Sequence, residues 1–299
     1  MSAGKRLPGT PSPMGYWIGA DGVRLAGDTW GDVHAPLVVL LHGAGQTRHA
    51  WRGTGKALAD AGYHALAFDA RGHGDSDWAP DGRYGQDLML EDLRAILRSF
   101  PRAKPVLIGA SMGGGTCLVA VGEGHVDAAA LALVDTGPRL AQEGVDKVIG
   151  FMNQHADGFA TLEDVAAAIG AYQPHRPPPK SLAGLAKNVR LGDDGRYHWH
   201  WDPRFRSNKL DLARRQERLR ACARNLTLPT LLVRGGLSDV LTEEGAQELL
   251  ALCPHAHYVN ITGASHMVAG DRNDIFGRSV IEFLRERMPA DDTRRRSSG

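Results

Sequence analysis

The stretch PVLIGASMGGG, residues 105–115, runs from unbroken apolar residues into a glycine-rich turn that carries one serine, Ser111. Three local readings compete: a phosphate-cradling loop, a nucleophile held on a sharp strand-to-helix bend, and a close-packed turn with an incidental serine. A phosphate loop needs G-x-x-x-x-G-K-[ST]. Gly109 to Thr116 matches that frame except that Gly115 stands where the lysine must be, so the main charge partner of the terminal phosphates is missing. A dinucleotide fingerprint also fails, because Ser111 occupies the second glycine position and the turn follows the fifth strand rather than the first. Gly109-Ala110-Ser111-Met112-Gly113 does fit G-x-S-x-G at the end of a strand and the start of a helix. Glycines two residues either side of the serine remove the side chains that would collide in so sharp a bend.

The flanking pattern supplies that strand and helix. Short apolar runs recur as YWIG (16–19), VRLAGDTW (23–30), LVVLLH (37–42), HALAFD (64–69), PVLIGA (105–110) and ALALVD (130–135). The first two read as a hairpin. LVVLLH and PVLIGA are apolar throughout rather than alternating, as in parallel strands covered on both faces. Residues 50–63 and 85–100 place apolar side chains at helical spacing. Strand–helix alternation predicts a doubly wound parallel sheet.

The rhythm stops between about Pro138 and Leu228, where helical patterns (141–156, 161–171, 181–190, 208–224) surround a proline run, PHRPPPK (174–180). It resumes with TLLVRG (230–235) and AHYVNITG (256–263). The expected organisation is therefore a core of residues 14–137 and 229–288, a helical lid of 138–228 over the carboxyl edge of the sheet, and flexible tails at 1–13 and 289–299.

Composition narrows the class. A chain of 299 residues with 42% hydrophobic content can bury a large α/β core, and a formal net charge of +1 supplies no basic field for nucleic acid. Cys117, Cys222 and Cys253 are odd in number and irregular in spacing, which predicts neither a metal site nor a disulfide framework. The alternating His198-Trp199-His200 lacks an evident third ligand. The opening MSAGKRLPGTPSPMG has basic residues with no apolar run behind them, and no stretch reaches transmembrane length. A soluble cytoplasmic protein without metal, cofactor or membrane partner is expected; the oligomeric state is open, a homodimer included.

A serine hydroxyl attacks only when a histidine takes its proton and an acid orients that histidine. In the strand-turn-helix setting of Ser111 the chain order is serine, acid, histidine, with the acid after a late strand and the base after the last. His266 follows HYVNITG, and Asp239 follows TLLVRG. Asp239 is the expected acid, and Asp135, at the end of ALALVD, is the alternative. Two backbone amides must face the tetrahedral oxygen. Met112, directly after the nucleophile, supplies one, and Ala44 in LLHGAGQT supplies the other. His42 in that loop reads as structural.

HGAGQ (42–46), FDARGHGDS (68–76), GASMGGG (109–115), GLSDVLT (236–242) and GASHMV (263–268), in this order, make the sequence resemble the α/β-hydrolase superfamily over nearly its whole length outside the tails. The resemblance implies an eight-stranded, mostly parallel sheet with helices on both faces, a helical cap between strands six and seven, and a Ser111–Asp239–His266 triad. It also implies that Asp69, Arg71 and His73 stabilise a turn rather than react. The wording is similar to the capped esterase, epoxide-hydrolase-like and cofactor-free haloperoxidase group. Relatives that open epoxides or remove halides use aspartate at the bend, so Ser111 argues against both chemistries. Carbon–carbon hydrolases often carry Trp after the base, where this chain has Met267.

The implied activity is a serine hydrolase acting on small to medium hydrophobic esters or lactones through an acyl-enzyme on Ser111. Perhydrolysis, carbon–carbon hydrolysis and non-catalytic ligand reception are the alternatives. Trp51, Trp199, Trp201 and Met267 are the candidate substrate contacts; Tyr197, Trp199 and Trp201 share one face if extended. Packing of the lid aromatics onto the core is the competing reading.

Overall fold

The computed structural model describes residues 3–101, 104–174, 182–207, 211–268 and 273–288. Its centre is an eight-stranded sheet built from β1 (Gly15–Ile18), β2 (Arg24–Trp30), β3 (Leu37–Leu41), β4 (His64–Phe68), β5 (Val106–Ala110), β6 (Ala130–Val134), β9 (Thr230–Gly235) and β10 (His257–Ile261), in the order β1-β2-β4-β3-β5-β6-β9-β10. β1 and β2 pair antiparallel, as do β2 and β4; the remaining pairs are parallel.

The alternation of side chains along each strand divides the core in two. Leu37, Val39 and Leu41 of β3 join Leu107, Leu131 and Leu232 on one face, against α2 (Gln86–Leu97), α3 (Met112–Gly122), α6 (Leu212–Arg224) and α7 (Glu243–Leu252). Val38 and Leu40 join Val106, Ile108 and Val233 on the other, against α1 (Arg52–Asp60) and α8 (Asn273–Arg287). With both faces covered, each fully buried aliphatic side chain contributes about 1.5–3 kcal/mol. This is why the runs LVVLL and VLIGA carry no polar positions.

The chain leaves the sheet after Val134 and returns at Thr230. In between lie α4 (Gln142–Asn153), α5 (Leu162–Tyr172), a hairpin of β7 (Val189–Leu191) and β8 (Tyr197–Trp199), and α6. A capping box between Thr161 and Asp164 starts α5. The expectation of helices alone differs from this, because YHW pairs with VRL as strands. The expected lid boundary at 228 also needs correction. Leu219, Cys222 and Ala223 of α6 sit in the core against α3, so α6 belongs by packing to the helix layer of the sheet. Residues Met152, Phe159, Val165, Leu185, Val189, Trp199 and Trp201 form a separate apolar cluster, the cap's own core.

The expected N-terminal tail is likewise docked. Lys5 exchanges backbone hydrogen bonds with Leu191 of β7 (2.8 and 2.9 Å), and Arg6 pairs with Asp75 at 3.4 Å. The expected tail at 289–299 and nearly all of the proline run lie outside the described residues. No helix among the described residues is long and apolar enough to cross a membrane.

Candidate active site

β5 ends at Ala110, and the chain turns at Ser111, with φ 47° and ψ −111°, straight into α3. A positive φ is costly for a residue with a side chain. It is held here by the Ser111 N–H donating to Val134 O (3.0 Å) and the Ser111 carbonyl accepting from Gly115 N–H (2.9 Å). The bend depends on its glycines: a Cβ on Gly109 would stand 2.5 Å from the Gly113 carbonyl, and one on Gly113 would stand 2.5 Å from Leu41 O.

The Ser111 hydroxyl lies 3.1 Å from Nε2 of His266, on the turn after β10. The other ring nitrogen, Nδ1, is 2.6 Å from Oδ2 of Asp135. Asp135 directly follows β6, is fully buried and also has a positive φ of 48°. Gly235 N–H donates to its Oδ1 (2.9 Å), and the Ser238 hydroxyl donates to its Oδ2. A carboxylate facing Nδ1 keeps the proton there and leaves Nε2 free to accept one from Ser111.

Asp239, the acid expected from the sequence, stands apart from this cluster. Its side chain is 47% exposed and pairs with Lys147 Nζ at 2.7 Å. The turn after β9 puts Ser238, not Asp239, against the buried carboxylate. Asp135, the alternative acid, is the one brought to His266.

The turn after β3 lies beside the serine: a Cβ on Gly43 would be 3.3 Å from Ser111 Cβ. Gly43 N–H donates to Gln46 Oε1 (2.9 Å), Gly45 N–H donates to His73 Nε2 (3.2 Å), and Gln46 N–H donates to Gly43 O (3.1 Å). Among the described residues the Ala44 amide has no such acceptor, nor has that of Met112. Met112 opens α3, where the first amides have no intrahelical partner. These are the two amides expected to face a developing oxyanion.

The chain is similar to known proteins in sequence and fold. A family model described as the alpha/beta hydrolase fold matches residues 36–165. The chain is 30% identical over 263 residues to the esterase Rv0045c of Mycobacterium tuberculosis, covering 86% of this chain and 83% of that one. The chain belongs to the α/β-hydrolase superfamily. The crystal structure of the same esterase superposes with a TM-score of 0.69 at 28% identity, covering 93% of this chain and 92% of that one. An E-2-(acetamidomethylene)succinate hydrolase superposes with a TM-score of 0.78 at 21% identity, covering 90% and 99%. A non-heme chloroperoxidase of Kitasatospora aureofaciens is 39% identical over 95 residues, only 32% of this chain and 34% of that one. The protein is accordingly an enzyme of the α/β-hydrolase type.

Within the α/β-hydrolase frame the expected substrate contacts separate. Trp51 is fully buried and packs on Phe276 of α8, ring centroids 5.8 Å apart. It ends the short 3-10 turn before α1, on the side of the sheet that α1 and α8 cover, so it is core rather than pocket. Met267 lies by the turn after β3, where its sulfur accepts from Gln46 Nε2 at 2.8 Å. Trp199 and Trp201 stack on each other (4.9 Å, 14°) inside the cap cluster. They line a cavity of about 290 Å³ with Trp78, Met152 and Pro203, whose walls include neither Ser111 nor His266. Met152 and Trp201 also lie 3.6 Å from where a Cβ on Gly45 would stand, so the cavity and the turn after β3 share these side chains.

The turn 69–77 is a scaffold, as its motif implied. Arg71 makes a bidentate pair with Asp92 (2.6 and 2.7 Å). Arg48 Nη1 reaches both Asp69 (2.6 Å) and Asp75 (2.9 Å), and Arg190 of β7 reaches Asp75 (2.9 Å). His42, read as structural, accepts from Ala70 N–H through Nε2 (2.9 Å) and donates from Nδ1 to Gly43 O (2.8 Å). Burial pushes its pKa down to about 4 and that of His73 down to about 3. Both rings are neutral at physiological pH. Gln46 and Ser238 lie within the motifs HGAGQ and GLSDVLT but carry no role that the motif alone assigns, and His200 is weighed in the sequence only as a metal ligand. Among the described residues no group of three or more His, Cys, Asp or Glu side chains is placed to hold a metal ion.

Proposed function

We propose that this enzyme hydrolyses carboxylic esters or lactones of small to medium, hydrophobic substrates through an acyl-enzyme on Ser111. The observation that carries the reading is the continuous line from Ser111 Oγ through His266 to the buried Asp135 carboxylate. Similarity over most of the chain to a mycobacterial esterase supports it.

In the first step Ser111 Oγ attacks the ester carbonyl carbon while His266 Nε2 takes the hydroxyl proton. The carbonyl oxygen becomes an oxyanion facing the Ala44 and Met112 amides, each such donor being worth about 2.7–4 kcal/mol. Collapse of the tetrahedral intermediate breaks the bond to the alcohol, which leaves with the proton from His266. Water then attacks the acyl-enzyme, giving its proton to Nε2, and a second collapse releases the acid and returns the proton to Ser111. Asp135 stays ionised throughout and stabilises the imidazolium. No step calls for a metal or an organic cofactor. The apolar side chains of Met152, Trp201 and Met267 beside the oxyanion turn favour a hydrophobic acyl or alcohol group.

Initial rates on p-nitrophenyl esters of increasing acyl length test the proposal. The native enzyme is expected to turn over and Ser111→Ala to fall by at least about 10⁴-fold. A variant that keeps the native rate overturns it. Local similarity to a chloroperoxidase favours a second reading, in which hydrogen peroxide replaces water at the acyl-enzyme. Peracid formation in the same assay separates the two.

A further inference from the structure

Resting on the hydrolase reading above, we infer that His200, carried by the cap, is a positioning residue for the oxyanion turn. Cap placement thereby enters the catalytic step. The supporting geometry is a set of three neutral imidazoles, His42, His73 and His200, each hydrogen-bonded to the backbone of the turn. Gly74 N–H donates to His200 Nδ1 at 2.9 Å, so this nitrogen carries no proton. The proton sits on Nε2, which donates to Gly45 O at 3.3 Å. His200 is almost fully buried, with the His73 ring 5.9 Å and the Trp201 ring 5.1 Å from its own.

The consequence lies in which peptide groups of the turn are held. His42 fixes the oxygen of the Gly43–Ala44 peptide, the unit that bears the Ala44 N–H. His73 fixes the nitrogen of the next peptide, and His200 fixes the oxygen of the one after. Gln46 holds the entry to the turn through Gly43 N–H. Each group around the Ala44 amide is thus restrained, while that amide itself is left without an acceptor among the described residues. An oxyanion hole works by being oriented before charge develops, so small rotations of its donor weaken it. His42 and His73 belong to the sheet's own loops, but His200 arrives from the far side of the inserted segment. It is anchored there by Asp202, whose N–H donates to Gly72 O (2.8 Å) and whose carboxylate accepts from Tyr84 and Arg204. Gly45 has φ +70°, a left-handed conformation that glycine adopts readily.

Two conservative replacements divide the two hydrogen bonds of His200. Asn places an acceptor near the Nδ1 position and has no donor at the Nε2 position; Gln extends a donor toward Gly45 O and loses the Gly74 contact. Steady-state kinetics on a p-nitrophenyl ester, phenylboronic acid inhibition and thermal melting would be measured for the native enzyme, His200→Asn and His200→Gln. The boronate forms a tetrahedral adduct with the serine, whose oxygen takes the place of the oxyanion. His200→Asn is expected to lose about tenfold in kcat with KM near native, and boronate affinity should fall in parallel. His200→Gln is expected to recover most of both, even where its Tm drops. Equal losses in the two variants, tracking Tm alone, would reduce His200 to a structural residue. A native kcat in His200→Asn would overturn the inference outright. Should the Asn variant not fold, the Gln variant still decides, since a folded Gln enzyme with a tenfold lower kcat contradicts the assignment. A native enzyme that neither turns over nor binds boronate sinks the hydrolase reading instead, a result distinct from any of these.

Discussion

Two aspartates stand on neighbouring turns at the carboxyl edge of the sheet, and their surroundings differ in kind. Asp135 follows β6 and Asp239 follows β9, strands that pair in parallel. Asp135 adjoins the last residue of its strand, is fully buried, and is met by Gly235 N–H, the Ser238 hydroxyl and His266. Asp239 lies beyond Gly235, the end of β9, where the intervening residues have already turned toward the loop after β10 through Leu237 N–H to Ala264 O (2.8 Å). It emerges half-exposed against a lysine. A residue that abuts a central strand inherits the rigidity of the sheet, whereas one a full turn later is placed by whatever the loop packs on. A buried carboxylate persists only with donors around it, and Asp135 has them. Lys147 meets Asp239 in water, where the pairing contributes little.

The sharpest way to break this contrast is to neutralise each carboxylate in turn. Asp135→Asn is expected to lower kcat by about 10⁴-fold, because an amide cannot hold the His266 tautomer and stabilise the imidazolium as a carboxylate does. Asp239→Asn should stay within about twofold of native. Kinetics with a parallel thermal melt would decide, and a reversed order of the two would refute the assignment of the acid. A smaller effect is expected at Ser238→Ala, which removes one hydrogen bond to the buried carboxylate. Hydrogen bonds to charged groups are worth roughly 1.5–3 kcal/mol, and a partial loss of orientation should reduce kcat about tenfold with KM little changed. An unchanged kcat would mean that Gly235 and the backbone alone hold Asp135. The smallest effect belongs to Lys147→Met. An exposed pair contributes about 0–1 kcal/mol, so Tm is expected to move by no more than about 2 °C and kcat not at all. A large activity loss there would show that the outer turn matters to the reaction after all.

The same contrast between residues adjoining a strand and residues beyond it explains what could be read in advance. The strand runs, the bend at Ser111 and the position of His266 are legible because each is local. Apolar continuity marks a buried strand, glycines mark a bend that a Cβ would obstruct, and the histidine follows the last strand within a few residues. Trp51 is core although the sequence points to the pocket, because its proximity in sequence to the HGAGQ turn says nothing about the direction of its side chain. The phase of the turn before α1 sends it into the core. The pattern of α6 is helical whether it lies in the lid or on the sheet, and only its packing on α3 distinguishes them. The N-terminal segment gave no sign of docking, since a backbone pairing with β7 leaves no pattern in side chains.

By itself, the sequence determined the superfamily, the succession of strands along the chain and the turns that carry Ser111 and His266, because short-range periodicity and turn chemistry act over a few residues. Only the tertiary structure decided which carboxylate meets His266, in which layer α6 packs and that His200 reaches the turn after β3. Those choices depend on which loops from distant parts of the chain converge on one edge of the sheet. That convergence follows from the packing of the whole core, not from any stretch of residues within it.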